Sequence, residues 1–188
     1  MLDFCEGLSI RSRNANTRLD FISQQIEDST MSRERLFLCV LLLFILPSPL
    51  LAWQGKVIGI SDGDTIRVLH DRQEIKIRLW GIDCPESHQD FGTRAKKYTS
   101  ELAFGQIVEI EEVDKDRYGR TVALATLPDG KILNEALVSA GLAWVYTKYC
   151  NRPVECSRWW ELERVARSQK TGLWSMPNAI PPWEFRRK

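Results

Sequence analysis

The chain has 188 residues, a length that suits one domain plus an appendage, and it contains no internal repeat or low-complexity segment. Its formal net charge is +1, too small to support nucleic-acid binding through bulk charge. If a polyanion is bound, a local patch must bind it.

Residues 1–30 are polar, mixed in charge and unpatterned, and they precede a segment that would normally be N-terminal. Two starts stay open, Met1 and, with residues 1–30 a mis-assigned extension, Met31. Arg33 and Arg35 lead into an apolar run, Leu36 to Leu46, followed by Pro47-Ser-Pro-Leu-Leu-Ala52. A charged start, an apolar stretch and a small residue before a plausible cut read as a signal peptide over 31–52, giving a secreted or periplasmic protein. The alternative is a membrane anchor over 36–52, against which Pro47 and Pro49 break the run near spanning length. Cys39 lacks the neighbouring small residues of a lipoprotein signal. Residues 1–52 hold five of the 26 basic and six of the 25 acidic residues, so the remainder carries a net +2.

From Trp53 the pattern turns to strands. Gly55 to Ile60, Thr65 to Leu69 and Glu74 to Trp80 alternate or run apolar at strand length, connected by Asp62-Gly63 and Asp71-Arg-Gln. They predict a three-stranded meander. Pro85 bars a continued ladder through the irregular Gly81 to Phe91, and Gly92 to Phe104 then spaces Ala95, Tyr98, Leu102 and Phe104 as a helix. Two more strands are predicted over Gln106 to Val113 and Thr121 to Leu127. Pro128-Asp129-Gly130 makes a turn before a helix over Ile132 to Trp144, with Asn134 and Glu135 on its solvated face. A last helix, Glu155 to Ser168, ends near Thr171-Gly172. The tail over 177–188, with Pro181, Pro182 and Arg186-Arg-Lys, reads as an extended strap or a loose end.

Three cysteines lie beyond the leader: Cys84, Cys150 and Cys156. In an exported chain the last two, separated by five residues, are expected to be bridged. Closing so small a loop is worth about 2 kcal/mol in the chain-entropy model. Zinc is the alternative for these cysteines. It is disfavoured because His70 and His88, the two histidines, lack ligand spacing to a cysteine pair.

One stretch concentrates chemistry. Asp62-Gly63-Asp64 sits between two strand-like runs as a hairpin signal, and Arg78, Asp83, Cys84 and Glu86 follow within 22 residues. A turn explains Asp62 on its own, but does not explain three further acids and an arginine gathered at strand ends. Asp64, Arg78, Asp83 and Glu86, followed by Asp116-Arg117-Tyr118-Gly119-Arg120, resemble the staphylococcal nuclease (thermonuclease) family in order and spacing over about Trp53 to Trp174.

The resemblance implies an α+β fold, a five-stranded OB-fold β-barrel with three packed α-helices, occupying 53–176. It implies that Asp64, Asp83 and the backbone carbonyl of Cys84 bind one Ca2+, although the family usually has threonine at the position of Cys84. Calcium accepts such an irregular set of oxygen ligands. Arg78 and Arg120 match the family's phosphate-clamping arginines, where a planar fork meets two oxygens at once. Glu86 matches the carboxylate assigned as general base, with orientation of water as its other role. Tyr118 matches a tyrosine that hydrogen-bonds phosphate, and Arg117 stands where lysine is common. Tyr146 and Tyr149 fall near base-stacking tyrosines, with packing under the last helix as the alternative.

The expected protein is a monomeric, calcium-dependent nuclease acting on DNA and RNA with little sequence preference and with no evident protein partner. The rival reading is a non-catalytic nucleic-acid-binding module of the same barrel. Such a module would have no use for Asp64, Arg78, Asp83, Glu86 and Arg120 together.

Overall fold

The computed structural model describes residues 52–187. The predicted leader lies outside the described residues apart from Ala52, which opens strand β1 (Ala52–Asp62). Strands β2 (Thr65–His70) and β3 (Gln73–Leu79) follow as a meander. The β2–β3 turn is two residues, Asp71 and Arg72, both with positive φ (47° and 64°), as the tightest hairpins require. Two further strands, β5 (Ile107–Lys115) and β6 (Thr121–Thr126), close the barrel in the order β1-β2-β3-β6-β5. Every contact in it is antiparallel except that between β3 and β6.

Alternation decides the core. Val57, Ile66, Val68, Ile77, Val108, Ile110, Ala123 and Ala125 point inward and are fully buried. Residues between them, such as Arg67, Lys76 and Glu109, face water. Helix α1 (Gly92–Ala103) lies over β1, burying Ala95, Thr99 and Ala103. Helices α2 (Leu133–Ser139) and α3 (Pro153–Ser168) pack against each other, and Trp159 of α3 reaches Trp80 with ring centroids 5.5 Å apart. Cys150 and Cys156 are joined, Cα–Cα 5.7 Å, at the entrance to α3. The fold is α+β, an OB-type barrel with a helical layer, and the tail adds a fourth, one-turn helix, α4 (Pro182–Phe185).

Two expectations are corrected. The helix predicted to reach Trp144 stops at Ser139, because Gly141 takes a left-handed conformation (φ 63°) in a close backbone approach. A Cβ there would stand 2.3 Å from the carbonyl oxygen of Thr171. Beyond this turn Trp144–Val145 form strand β7, which pairs with β4 (Ile82–Asp83). The span predicted as one helix therefore holds a shorter helix, a turn and the start of a strand.

Asn134, expected at the surface, is fully buried. Its amide nitrogen donates to the carbonyls of Trp80 (2.9 Å) and Ala123 (3.3 Å), and its oxygen accepts from the Ala125 amide (3.2 Å). It ties α2 to β6 and to the end of β3 by polar bonds that hydrophobic periodicity cannot reveal. Replacing Asn134 with alanine leaves buried backbone groups without this partner, at a cost of about 1–3 kcal/mol. Urea unfolding of Asn134→Ala should show a lowered midpoint with an unchanged slope, and an unshifted midpoint would remove this role.

Candidate active site

The site forms where β1, β3 and β4 end together. The β1–β2 turn places Asp64 at the mouth of the barrel, and its carbonyl accepts from the Leu79 amide at 2.8 Å. Thr65 lies opposite Arg78 in the β2–β3 register, so the arginine reaches back across the strand end. Its Nη1 donates to Asp64 Oδ1, and its Nη2 donates to Asp83 Oδ1 at 2.5 Å. Asp83 is held from behind by the pairing of β4 with Trp144 of β7. The second oxygen of Asp64 accepts the Cys84 amide at 2.6 Å. Asp64 and Asp83 are thus buried (1% and 0% exposed) and share one guanidinium.

Helix α1 fixes the turn. Thr99 Oγ1 donates to the Gly63 carbonyl at 2.6 Å. Gly63 is packed so closely that a Cβ would stand 2.8 Å from the Cβ atoms of Ala95 and Cys84. Alanine at 95 and glycine at 63 let the helix approach the acids.

Electrostatics follow from this burial. Desolvation pushes the Asp64 carboxyl well above the ordinary carboxylate range, with Arg78 opposing and Asp62 and Asp83 adding to the rise. Burial works against the charge on Arg78, but Asp64 and Asp83 outweigh it and hold the guanidinium protonated. The Cys84 thiol is pushed up by burial first and by Asp64 next, which keeps it neutral.

Among the described residues, no group of three or more His, Cys, Asp and Glu side chains forms a ready-made metal cage. The site offers instead two buried, hard carboxylates bridged by Arg78, with Asp62 and Glu86 close in sequence and Arg186 of the tail paired to Asp83 and Glu86. That excess of negative oxygen donors fits an oxygen-seeking divalent ion and does not fit a thiophilic one. Asp64 and Asp83 would hold such an ion, and the Cys84 peptide is drawn into the cluster through its N–H.

Glu86 is half-buried beside the acids. The next turn is compact: the Gln89 amide donates to the Glu86 carbonyl (2.8 Å), and the Gly92 amide donates to the Gln89 carbonyl (2.9 Å). Arg120 belongs to a second cluster on the β5–β6 loop. Its Nε donates to Asp116 Oδ2 at 2.6 Å, while Asp116 also accepts the Tyr118 and Arg120 amides. Partial burial raises the Asp116 carboxyl, but those bonds from Arg120 and Tyr118 win and hold it below its usual range. Arg78 pairs with Val122 across the parallel β3–β6 contact, and Arg120 sits in the loop just before β6 begins at Thr121. Arg117 donates from Nη2 to the exposed Tyr118 hydroxyl at 2.7 Å and lies over its ring. A third group is aromatic: Tyr146 meets Tyr149 edge-on, centroids 4.8 Å apart.

The structure also brings two residues from the tail that the sequence pattern left unassigned. Arg186 donates from Nη1 to Glu86 Oε1 (2.5 Å) and from Nη2 to Asp83 Oδ2 (2.7 Å). Trp183 stacks on Tyr146, centroids 4.7 Å apart with 9° between planes. The signals in the sequence were the Pro181-Pro182 pair, which stiffens the approach, and the Trp and Arg that follow.

An OB barrel whose mouth gathers buried acids, guanidinium groups and exposed aromatic rings defines a class, that of barrel domains built to handle phosphodiesters. Comparison with known proteins gives the family. A family model described as staphylococcal nuclease homologue matches residues 76–176. A micrococcal nuclease of Shigella flexneri is 44% identical over 147 residues, covering 72% of this chain and 83% of the relative. An uncharacterized endonuclease of Escherichia coli O157:H7 is 40% identical over 150 residues, covering 79% and 95%. Protein ParB of Escherichia coli is 38% identical over 159 residues, covering 79% and 88%. The chain belongs to the staphylococcal nuclease homologue family.

Glu86 owes its position to a glycine. A Cβ on Gly92 would stand 1.8 Å from the Glu86 carbonyl oxygen, so alanine there must displace the backbone that carries the glutamate. A misplacement of about 1 Å costs on the order of 100-fold in rate. Gly92→Ala should lose about that much nuclease turnover while keeping the wild-type far-UV circular dichroism. Full activity in the variant would show that Glu86 does not depend on this turn.

Proposed function

We propose that this staphylococcal-type nuclease, a phosphodiester hydrolase, is calcium-dependent and cleaves both DNA and RNA with little sequence preference. The observation that carries the reading is the pair of buried carboxylates, Asp64 and Asp83, converging on the Arg78 guanidinium. Burying two acids beside each other costs stability, which Arg78 and, at Asp83, Arg186 offset only in part. A divalent ion held by Asp64, Asp83 and the Cys84 carbonyl would neutralise the rest and, when bound, would supply Lewis-acid polarisation of a phosphoryl oxygen.

The remaining chemistry falls to the chain itself. Hydrolysis forms a bond from water oxygen to phosphorus and breaks the bond to one ester oxygen, which departs and gains a proton. Glu86, half-exposed at the mouth, takes the proton of the attacking water. Charge builds on the phosphoryl oxygens, and planar guanidinium groups meet it with two N–H donors each. Arg78 is braced for this by Asp64 and Asp83, and Arg120 by Asp116. Arg117 and Tyr118 line the approach as phosphate contacts. Tyr146 and Tyr149 offer faces to bases, and stacking accepts any base, in keeping with low sequence preference.

We further propose export before action. The Arg-flanked apolar run ending at Ala52 supports it, as does the joined Cys150–Cys156 pair, which an oxidising compartment favours.

Two variants separate charge stabilisation from proton transfer. Arg120→Lys keeps the charge and removes the fork, and it should lose roughly 100- to 1000-fold in turnover. Glu86→Gln keeps the shape and removes the base, and it should lose roughly 100- to 10,000-fold. Steady-state cleavage of denatured DNA, with calcium or magnesium after EDTA treatment, checks both. Calcium should activate and magnesium should not, because magnesium demands a near-rigid octahedron. An Arg120→Lys enzyme as fast as wild type would refute the clamp, and activity in EDTA would refute the metal.

A further inference from the structure

The tail reaches the catalytic mouth with two groups, each placed where a component of a nuclease complex would sit. After Trp174 the chain returns toward α1, and Gln89 Nε2 donates to the Ile180 carbonyl at 2.6 Å. Pro181 and Pro182 follow, the second buried, and start the one-turn helix α4. Phe185 meets the His88 ring, centroids 5.2 Å apart. This positions Trp183 flat on Tyr146 (4.7 Å, 9°), the arrangement a nucleobase adopts on an aromatic side chain. It also positions Arg186 on Asp83 and Glu86, contacting both carboxylate oxygens of Asp83 (3.3 and 2.7 Å) and Oε1 of Glu86 (2.5 Å).

We propose that the segment 180–186 is an autoinhibitory strap: Trp183 occupies the base-stacking face of Tyr146, and Arg186 occupies the carboxylates, until metal and nucleic acid displace them. The inference rests on the functional reading above. One oxygen of Asp83 already faces Arg78 and the other faces Arg186, so a divalent ion reaching Asp83 must compete with the strap. With Glu86 paired to Arg186, the proposed base is also engaged.

The strap is built to release. A four-residue helix has no independent stability, so α4 exists only while its side chains are docked. The Arg186 side chain is 42% exposed and its pair with the partly exposed Glu86 is weak, which leaves the buried Asp83 as its firmer anchor. Docking is intramolecular, which gives weak contacts a high effective concentration and makes them a real competitor. A ligand that binds only the open form has its apparent Kd raised by the reciprocal of the open fraction. A strap docked about nine-tenths of the time therefore weakens binding about tenfold.

The test uses the full chain carrying Trp183→Ala and Arg186→Ala together, with Trp183→Phe as the conservative variant and melting curves to verify folding. Calcium affinity is read by isothermal titration. Affinity for a short fluorescent single-stranded oligonucleotide in EDTA is read by anisotropy. The double variant should bind the oligonucleotide about tenfold more tightly, bind calcium more tightly and show a lower KM. Trp183→Phe should stay near wild type. Weaker or unchanged oligonucleotide binding by the folded double variant would overturn the strap and make Trp183 a permanent wall of the groove. Absence of calcium binding in both proteins would instead overturn the metal reading, leaving the oligonucleotide measurement to decide the strap.

Discussion

One guanidinium group organises the mouth of this barrel. Arg78 is bonded at one nitrogen to Asp64 and at another to Asp83, and both acids are buried. The surrounding fold holds the three residues in place. The β2–β3 register sets Arg78 opposite Thr65, the Leu79 amide holds the Asp64 carbonyl, and the short β4–β7 ladder holds Asp83. Helix α1 seals the other side of the turn through Thr99 and through the space that Gly63 leaves open.

A buried cluster of this kind is poor at stabilising a fold. Desolvating charges costs about as much as their attraction returns, and apolar replacements of similar volume often leave such a site equally or more stable. The barrel core, from Val57 to Ala125, does not need these acids. Under the proposed function, their placement serves a bound cation and a phosphodiester. Burial first, and the neighbouring Asp62 and Asp83 after it, raise the Asp64 carboxyl against the pull of Arg78, so the acids outnumber the positive charge beside them. In the proposed strap, Arg186 answers the same shortage from within the chain.

The barrel was legible because its strands alternate or run apolar at strand length. Ile66, Val68, Ile77 and Leu79 face inward, and the hairpin turns carry turn residues. The central site was legible because its acids and Arg78 fall within one short stretch. The rest depended on contacts distant in sequence. Asn134 sits on a helix whose apolar spacing says nothing of the backbone groups opposite, so it reads as surface while it bonds strands β3 and β6 to α2. The helix expected to reach Trp144 broke at Gly141 because of backbone from Thr171, thirty residues onward. The tail carried prolines and charge, which suggest a strap, but only the fold shows that Arg186 lands on Asp83, 103 residues earlier.

Under the proposed function, Asp64 and Asp83 hold a calcium ion. Melting temperatures of wild type and Asp64→Asn, each in EDTA and in millimolar calcium, test it directly, because protection against heat requires preferential binding to the folded state. The asparagine keeps an acceptor for the Cys84 amide while removing the charge. Calcium is expected to raise the wild-type melting temperature and to leave that of Asp64→Asn unmoved. Equal protection of both proteins by calcium would contradict it.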